Sequence, residues 1–230
     1  MAIVTARGGS KRIPKKNIKY FLGKPILEYS LKAAIESHIF SEVMVSTDEV
    51  EIAEVAKACG ASVPFLRSQI NSNDFAVTAD VILEVIKNYE QLGKQFEYVC
   101  CIYPTAPFLS AEKLQTAFQM LKESDADCIF PICEFSSPIL RSLKVDEANK
   151  VSFYWPEYEL TRSQDLPKAY QDSGQFYFLR VTTFLANPRL VPNNALALIV
   201  PNTEVQDIDS EDDWKLAEMK YKFLHQIDGH

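Results

Sequence analysis

What the sequence lacks narrows it first. No apolar stretch approaches the ~20 residues that a membrane-spanning helix requires; the apolar runs, such as Val99-Cys100-Cys101-Ile102, are only a few residues long. Only Ala2 to Ala6 precede Arg7, too few for the apolar core of a secretory leader. A protein with no membrane association is expected. Histidine is scarce, at His38, His225 and His230, and these read as surface residues rather than catalytic bases. There is no His-Glu-x-x-His, no Gly-x-Ser-x-Gly and no Cys–His constellation, so the common hydrolytic chemistries have no support. The cysteines, Cys59, Cys100, Cys101, Cys128 and Cys133, are odd in number and contain no Cys-x-x-Cys pair. Most fall in apolar runs, which predicts reduced, buried thiols in a cytoplasmic setting. Basic charge is short as well. With 24 Lys and Arg against 31 Asp and Glu the chain carries −7, a poor general partner for nucleic acid.

What remains is ordinary globular material, 47% hydrophobic and 24% charged over 230 residues, long enough for one substantial core. Strand-like and helix-like segments alternate from the start. Ala2–Ala6 reads as a strand, and a polar, basic stretch from Arg7 to Lys19 follows it. Pro25 then opens a helix in which Ile26, Leu27, Leu31, Ala34 and Ile35 share a face. Val43–Ser46 and Ser62–Leu66 read as the next strands, separated by a helix from Glu49 to Cys59 that Asp48 can cap and Gly60 ends. Residues 76–92 form an amphipathic helix. Tyr98–Ile102 is continuously apolar, the mark of a strand buried on both faces. Ala111–Lys122 then reads as helix, and Cys128–Cys133, Gln175–Leu179 and Leu196–Val200 as strands. Ser210 caps a last helix bearing Trp214, Ala217, Tyr221 and Leu224. This order predicts an α/β fold, a doubly wound and mainly parallel sheet in a single domain over residues 1–230. Prolines and scattered aromatics between about 135 and 170 predict a small antiparallel or irregular insertion. Ligands in such sheets bind beyond the carboxyl ends of the strands, where the loops after Ala6, Ser46 and Ile102 would lie.

Four constellations carry candidate chemistry. Arg7-Gly8-Gly9-Ser10-Lys11-Arg12-Ile13-Pro14-Lys15-Lys16-Asn17 places five basic side chains and two glycines directly after the first strand of an acidic chain. Glycine lets backbone amides approach an anion, and the cations would neutralise a polyphosphate; the alternative is a solvated basic loop. The motif is neither a Walker A loop nor Gly-x-Gly-x-x-Gly. Asp207 and Asp209 form an Asp-x-Asp pair whose extended spacing turns both carboxylates to one side, a pattern that suits Mg²⁺ completed by substrate phosphates. Glu211, Asp212 and Asp213, by contrast, fit the first turn of the last helix and its dipole. Arg67 with Asp74 and Thr78 is a weaker third set. The fourth runs from Thr161-Arg162-Ser163-Gln164-Asp165 to Asp172-Ser173-Gly174-Gln175-Phe176-Tyr177. It suits a polyhydroxylated acid with an arginine for its carboxylate, or else a polar subunit interface.

Ala6-Arg7-Gly8-Gly9-Ser10-Lys11 with Ile13-Pro14 and Lys16-Asn17 resembles the signature of the cytidylyltransferases that activate nonulosonic acids. Gly23-Lys24-Pro25, Val45-Ser46-Thr47-Asp48, Arg67 with Asp74, Pro104-Thr105-Ala106-Pro107 and Asp207-Ile208-Asp209 follow in the same order. The resemblance spans nearly the whole chain and implies a nucleotide-diphospho-sugar transferase-like fold. It implies transfer of CMP from CTP to a nonulosonic acid with release of pyrophosphate, and Mg²⁺ as cofactor. Arg7, Lys11, Lys16 and Asp209 would be catalytic, and Ala6, Gly8, Gly9, Ser10, Asn17, Arg67, Asp74 and Thr78 would hold the nucleotide. Tyr103, Arg162, Gln175 and Tyr177 would face the sugar, with Asp207 and Asp209 on the metal. It further implies a cytoplasmic homodimer joined through the insertion and serving cell-surface or flagellar glycosylation.

Within that family, Arg162 to Leu166, Gly174 to Tyr177 and Gln206 to Asp209 look most like the branch that uses pseudaminic acid. Sialic acid enzymes typically carry Gln-Pro-Thr-Ser-Pro-Leu-Arg where this chain has Tyr103 to Leu109, and Asn-Gly at Ser173-Gly174. An apolar or aromatic lining there argues for a less hydroxylated, more acylated sugar. The same reaction on N-acetylneuraminic or legionaminic acid, and a nucleotide-binding module without turnover, are the alternative readings.

Overall fold

The structure, a computed structural model, describes residues 1–227; His230 lies outside them. In chain order the elements are β1 (Ala2–Thr5), β2 (Tyr20–Phe21), β3 (Lys24–Pro25), α1 (Ile26–Glu36), β4 (Val43–Ser46) and α2 (Val50–Ala58). Then come α3 (Thr78–Gln91), β5 (Tyr98–Ile102), α4 (Ala111–Lys122), β6 (Cys128–Glu134), β7 (Leu143–Val145) and β8 (Val151–Phe153). The chain continues through β9 (Tyr170–Asp172), β10 (Phe176–Arg180), α5 (Val181–Ala186), β11 (Ala195–Ile199) and α6 (Glu211–His225).

Seven strands form the main sheet in the order β11-β6-β10-β5-β1-β4, with β9 also on β6. β1 pairs in parallel with β4 and β5, and β11 with β6; β10 and β9 run antiparallel to their neighbours. The sheet is therefore mixed but mostly parallel. Side-chain alternation along its strands builds two cores. Ala2, Val4, Val45, Cys100 and Ile102 meet α1, α2 and α4 on one face. Ile3, Met44, Val99 and Cys101 meet α3 and α5 on the other. Each leucine buried this way, such as Leu31, Leu114 or Leu121, contributes about 1.5–3 kcal/mol. A third cluster seats α6 through Trp214 and Ala217 against Ile13, Phe21, Phe108 and Ile208.

Three local expectations change. The segment Ser62–Leu66 is not a strand: only Ser62 bridges to Met44, because the chain leaves the sheet there to carry Arg67 inward. Asp48 does not cap α2. Its carboxylate accepts the Gly8 amide at 2.9 Å, while the Thr47 hydroxyl accepts the Glu49 amide. α3 begins at Thr78, two residues later than the pattern indicated. Ser210 and Asp213 form a reciprocal capping box at α6, and Ser110 caps α4. Residues 135–170 contain the β7–β8 hairpin and short turns, the antiparallel insertion the composition indicated. Leu143, Val145, Val151, Tyr154 and Leu160 are exposed on it. All five cysteines are free thiols, four of them buried. Burial pushes the Cys101 and Cys128 thiols up to about 12, which excludes them as nucleophiles. His38 and His225 are exposed. Among the described residues no helix is long and apolar enough to cross a membrane.

Candidate active site

The loops after β1 and β5 and the segment leading from Arg67 into α3 converge on a cavity of about 540 Å³, which the loop after β4 does not line. Arg7, Ser10, Lys11, Arg12, Lys16 and Asn17 of the first loop line it, facing Arg67, Asp74, Thr78 and Tyr103, with Asp207 and Asp209 from the far end of the chain. The basic loop is thus one wall of a cleft, although Lys11, Arg12 and Lys15 keep well-exposed side chains.

Internal bonds hold the side chains in place. The Asn17 amide donates to the Arg7 carbonyl at 2.8 Å and fixes the curve of the loop. Gly8 sits against α2, where a Cβ would lie 3.1 Å from Glu49, so the residue is small because another element approaches closely. Ala6 donates its amide to Ser46 and Gly8 to Asp48, and neither lines the cavity; Gly9 is exposed. The expectation that Ala6 and Gly8 present amides to a ligand is corrected on this point: their amides serve the joint between β1 and β4.

Cations and carboxylates alternate around the cleft. Arg7 pairs with Asp74 at 2.9 Å and also donates to the Asn73 carbonyl; Lys11 pairs with the other oxygen of Asp74. Lys11 and Arg7 together hold the Asp74 carboxyl below its usual range. Arg12 lies 2.7 Å from Asp209, and Lys16 lies 3.6 Å from it while donating to the Ile208 carbonyl at 2.7 Å. Arg67 is only 8% exposed and rests on the neutral oxygens of Ser46, its guanidinium pKa lowered by burial. Asp207 shows the opposite shift to Asp74. Desolvation first, then the neighbouring Asp209 charge, raise its carboxyl above the ordinary value.

The carboxylate pair also lines a second cavity of about 620 Å³, with Gln171, Asp172, Ser173, Asn202, Gln206 and Lys220. Asp207 and Asp209 therefore stand on the wall between two chambers, one rich in cations and one in hydroxyl, amide and carboxylate groups. The four residues expected to face a sugar are not gathered. Tyr103 lines the first chamber, its ring 5.6 Å from that of buried Tyr177, whose hydroxyl donates to Asp172. Gln175 is buried and donates to the Glu204 carbonyl, with its oxygen unpartnered, as is the Ser173 hydroxyl. Arg162 is exposed on the insertion, paired with Asp165. Phe108 and Leu109 are buried too, and Phe108 packs with Phe21 and Trp214, so the aromatic substitution there serves the core and not a sugar lining. Asn71 and Asn73 line the first chamber without having been singled out. The run Asn71-Ser72-Asn73-Asp74 of turn-forming residues was the available signal.

An open α/β sheet with a cationic loop after its first strand and a carboxylate pair between two chambers defines a nucleotidyltransferase. The chain belongs to the cytidylyltransferase family, whose model matches residues 1–204. It is 38% identical to the pseudaminic acid cytidylyltransferase of Campylobacter jejuni subsp. jejuni serotype O:2 over 98% of this chain and 97% of that one. It is 30% identical to the CMP-N,N'-diacetyllegionaminic acid synthase of Legionella pneumophila over 95% and 94%. The fold is shared with the CMP:2-keto-3-deoxy-manno-octonic acid synthetase solved in complex with CTP, at a TM-score of 0.69, 16% identity and 98% coverage of both chains.

Proposed function

We propose that this chain transfers the CMP group of CTP to the anomeric hydroxyl of pseudaminic acid, releasing pyrophosphate. The observation that carries the reading is the carboxylate pair shared by a cationic chamber and a chamber rich in hydrogen-bonding groups. A triphosphate needs the first and a polyhydroxylated acid the second, with the reacting atoms at the wall between them. The choice of sugar is supported by the higher identity to the pseudaminic acid enzyme than to the legionaminic acid synthase.

In this reading Arg7, Lys11 and Lys16 neutralise the triphosphate, and Asn17, Arg67 and Thr78 surround the cytidine. The incoming phosphates replace Asp74 as partners of Arg7 and Lys11. Charge neutralisation of the leaving pyrophosphate and in-line positioning of the hydroxyl supply most of the acceleration. Asp207 and Asp209 suit a divalent cation, because two crowded hard-oxygen donors, one with its carboxyl pKa raised, are relieved by positive charge. Among the described residues no third carboxylate, histidine or cysteine completes a metal cluster, so the remaining ligands would have to come from substrate oxygens and water. When bound, Mg²⁺ would polarise the α-phosphate and acidify the attacking hydroxyl.

The exposed apolar residues of the insertion support a homodimer through residues 135–170. Arg162, which stands on that segment outside its own cavity, is then placed to serve the partner's site. The free thiols support a reducing, cytoplasmic setting, and the activated sugar would feed surface or flagellar glycosylation. The test is pyrophosphate release from CTP and Mg²⁺ with pseudaminic, legionaminic and N-acetylneuraminic acids offered separately. Release with pseudaminic acid alone is expected. Release with another acid alone would overturn the sugar assignment, and no release from folded protein would overturn the catalytic reading.

A further inference from the structure

α6 holds the carboxylate-bearing segment from both ends. At its start, Asp213 accepts the Asp209 amide at 3.1 Å and the Ser210 amide at 2.8 Å, so the helix cap also fixes the backbone of Asp209. Lys220 lies seven residues further along, on the same face of the helix. Its ammonium donates to the Val205 carbonyl at 2.8 Å, the Gln206 side-chain oxygen at 3.0 Å and the Asn202 carbonyl at 3.5 Å. The Gln206 amide nitrogen in turn donates to the Asp207 carbonyl at 3.0 Å. Lys16 takes the Ile208 carbonyl from the opposite wall, and the Ile208 side chain is fully buried between the two acids.

Two points set Lys220 apart from an ordinary surface lysine. Fixing a lysine costs rotamer entropy, yet here the three N–H donors of one ammonium converge on the short stretch that delivers the chain to Asp207. The acceptors are neutral oxygens, so the bond set is directional rather than a charge pairing. We propose that Lys220 is a positioning residue for the Asp207–Asp209 pair, holding Val205 and Gln206 so that both carboxylates present to one cation. The proposal rests on the reading of that pair as the divalent-cation site.

The experiment measures Mn²⁺ binding by electron paramagnetic resonance in the presence of CTP and without sugar, alongside turnover and thermal unfolding. Partners that orient metal ligands typically affect affinity by about 10–100-fold. Lys220→Met should weaken Mn²⁺ binding about tenfold and lower kcat, with KM for CTP changed less than about twofold. Lys220→Arg should restore most of the Mn²⁺ affinity. Gln206→Ala, which removes one acceptor and the link to the Asp207 carbonyl, should weaken Mn²⁺ in the same direction and keeps the test open if Lys220→Met does not fold. Unchanged Mn²⁺ affinity in folded Lys220→Met or in Gln206→Ala would overturn the proposal. So would a fall in unfolding temperature with Mn²⁺ affinity intact, the sign of a purely structural lysine. Asp209→Asn separates the two levels. If it binds Mn²⁺ like the parent, the cation-site reading itself fails; if it loses Mn²⁺ while Lys220→Met does not, only the role of Lys220 fails.

Discussion

Arg12 and Asp209 stand 197 residues apart in the chain and 2.7 Å apart in space. The contact ties the first loop to the last turn before α6, and it occupies a carboxylate proposed to hold Mg²⁺. A divalent cation held by Asp209 would compete with the guanidinium for this oxygen, and Arg12 would then be available to the triphosphate.

Removing that competitor should make Mg²⁺ easier to bind. Both side chains are well exposed, and such pairs contribute about 0.2–1 kcal/mol, so Arg12→Gln should lower the half-activating Mg²⁺ concentration by at most about fivefold. KM for CTP should rise in the same variant. A Mg²⁺ titration at saturating CTP decides it, and a higher Mg²⁺ requirement would count against the displacement.

Asp207 sets stability against activity. Its carboxyl is raised above the ordinary 3.8, so the ionised form is disfavoured in the folded protein relative to the unfolded chain. The penalty is absent below the ordinary value, grows as pH rises from there through the raised one, and is complete above it. Asp207→Asn should therefore raise the unfolding temperature at pH 7 without Mg²⁺, and the gain should vanish near pH 3. The same variant should lose nearly all turnover. Calorimetry across pH, with and without Mg²⁺, checks the sign; a variant less stable than the parent at pH 7 would contradict it.

Arg180 offers a contrast remote from the chemistry. Its guanidinium donates to the carbonyls of Ala126 at 2.7 Å, Leu121 at 2.8 Å and Ser124 at 2.7 Å, and to the Tyr98 hydroxyl at 2.7 Å, closing the end of α4. Arg180→Met leaves the Ala126 and Ser124 carbonyls with no donor, while Leu121 keeps the Ser124 amide and hydroxyl, and should cost about 3 kcal/mol in urea unfolding. KM and kcat of the folded fraction should stay near the parent's.

Leu160, 94% exposed on the insertion, tests the assembly. Leu160→Asp should shift the protein from dimer to monomer in light scattering. If Arg162 serves the partner's site, KM for the sugar acid should rise with that shift while nucleotide binding holds. An unchanged dimer would place the interface elsewhere.

The strands and helices that carry one dominant pattern were legible: Val43–Ser46, Tyr98–Ile102 and Ala111–Lys122 fall at their expected bounds. Segment 62–66 was not: Ser62 does pair with the free edge of β4, but Pro64 has no amide to continue the ladder, and Arg67 draws the chain away. The cationic first loop could be read because five basic residues after a strand in an acidic protein have few other uses. Gly8 was misjudged: spacing cannot distinguish an amide aimed at a ligand from one taken by Asp48. Lys220 was invisible for a related reason, since its acceptors are main-chain and amide oxygens that leave no charge pattern in the sequence.

The place of the acid pair along the chain also bears on how the molecule is completed during synthesis. The last strand of the sheet ends at Ile199, whereas the cap and lysine that brace the pair lie at 213 and 220. A nascent chain can thus close its full sheet while the basic loop is still open and uncountered by Asp209. For that interval only Arg12 and Lys16 wait for their carboxylate, since Arg7 and Lys11 already have Asp74 and Lys15 has Glu51, and the emergence of α6 brings the last acid into a cleft that is already partly balanced.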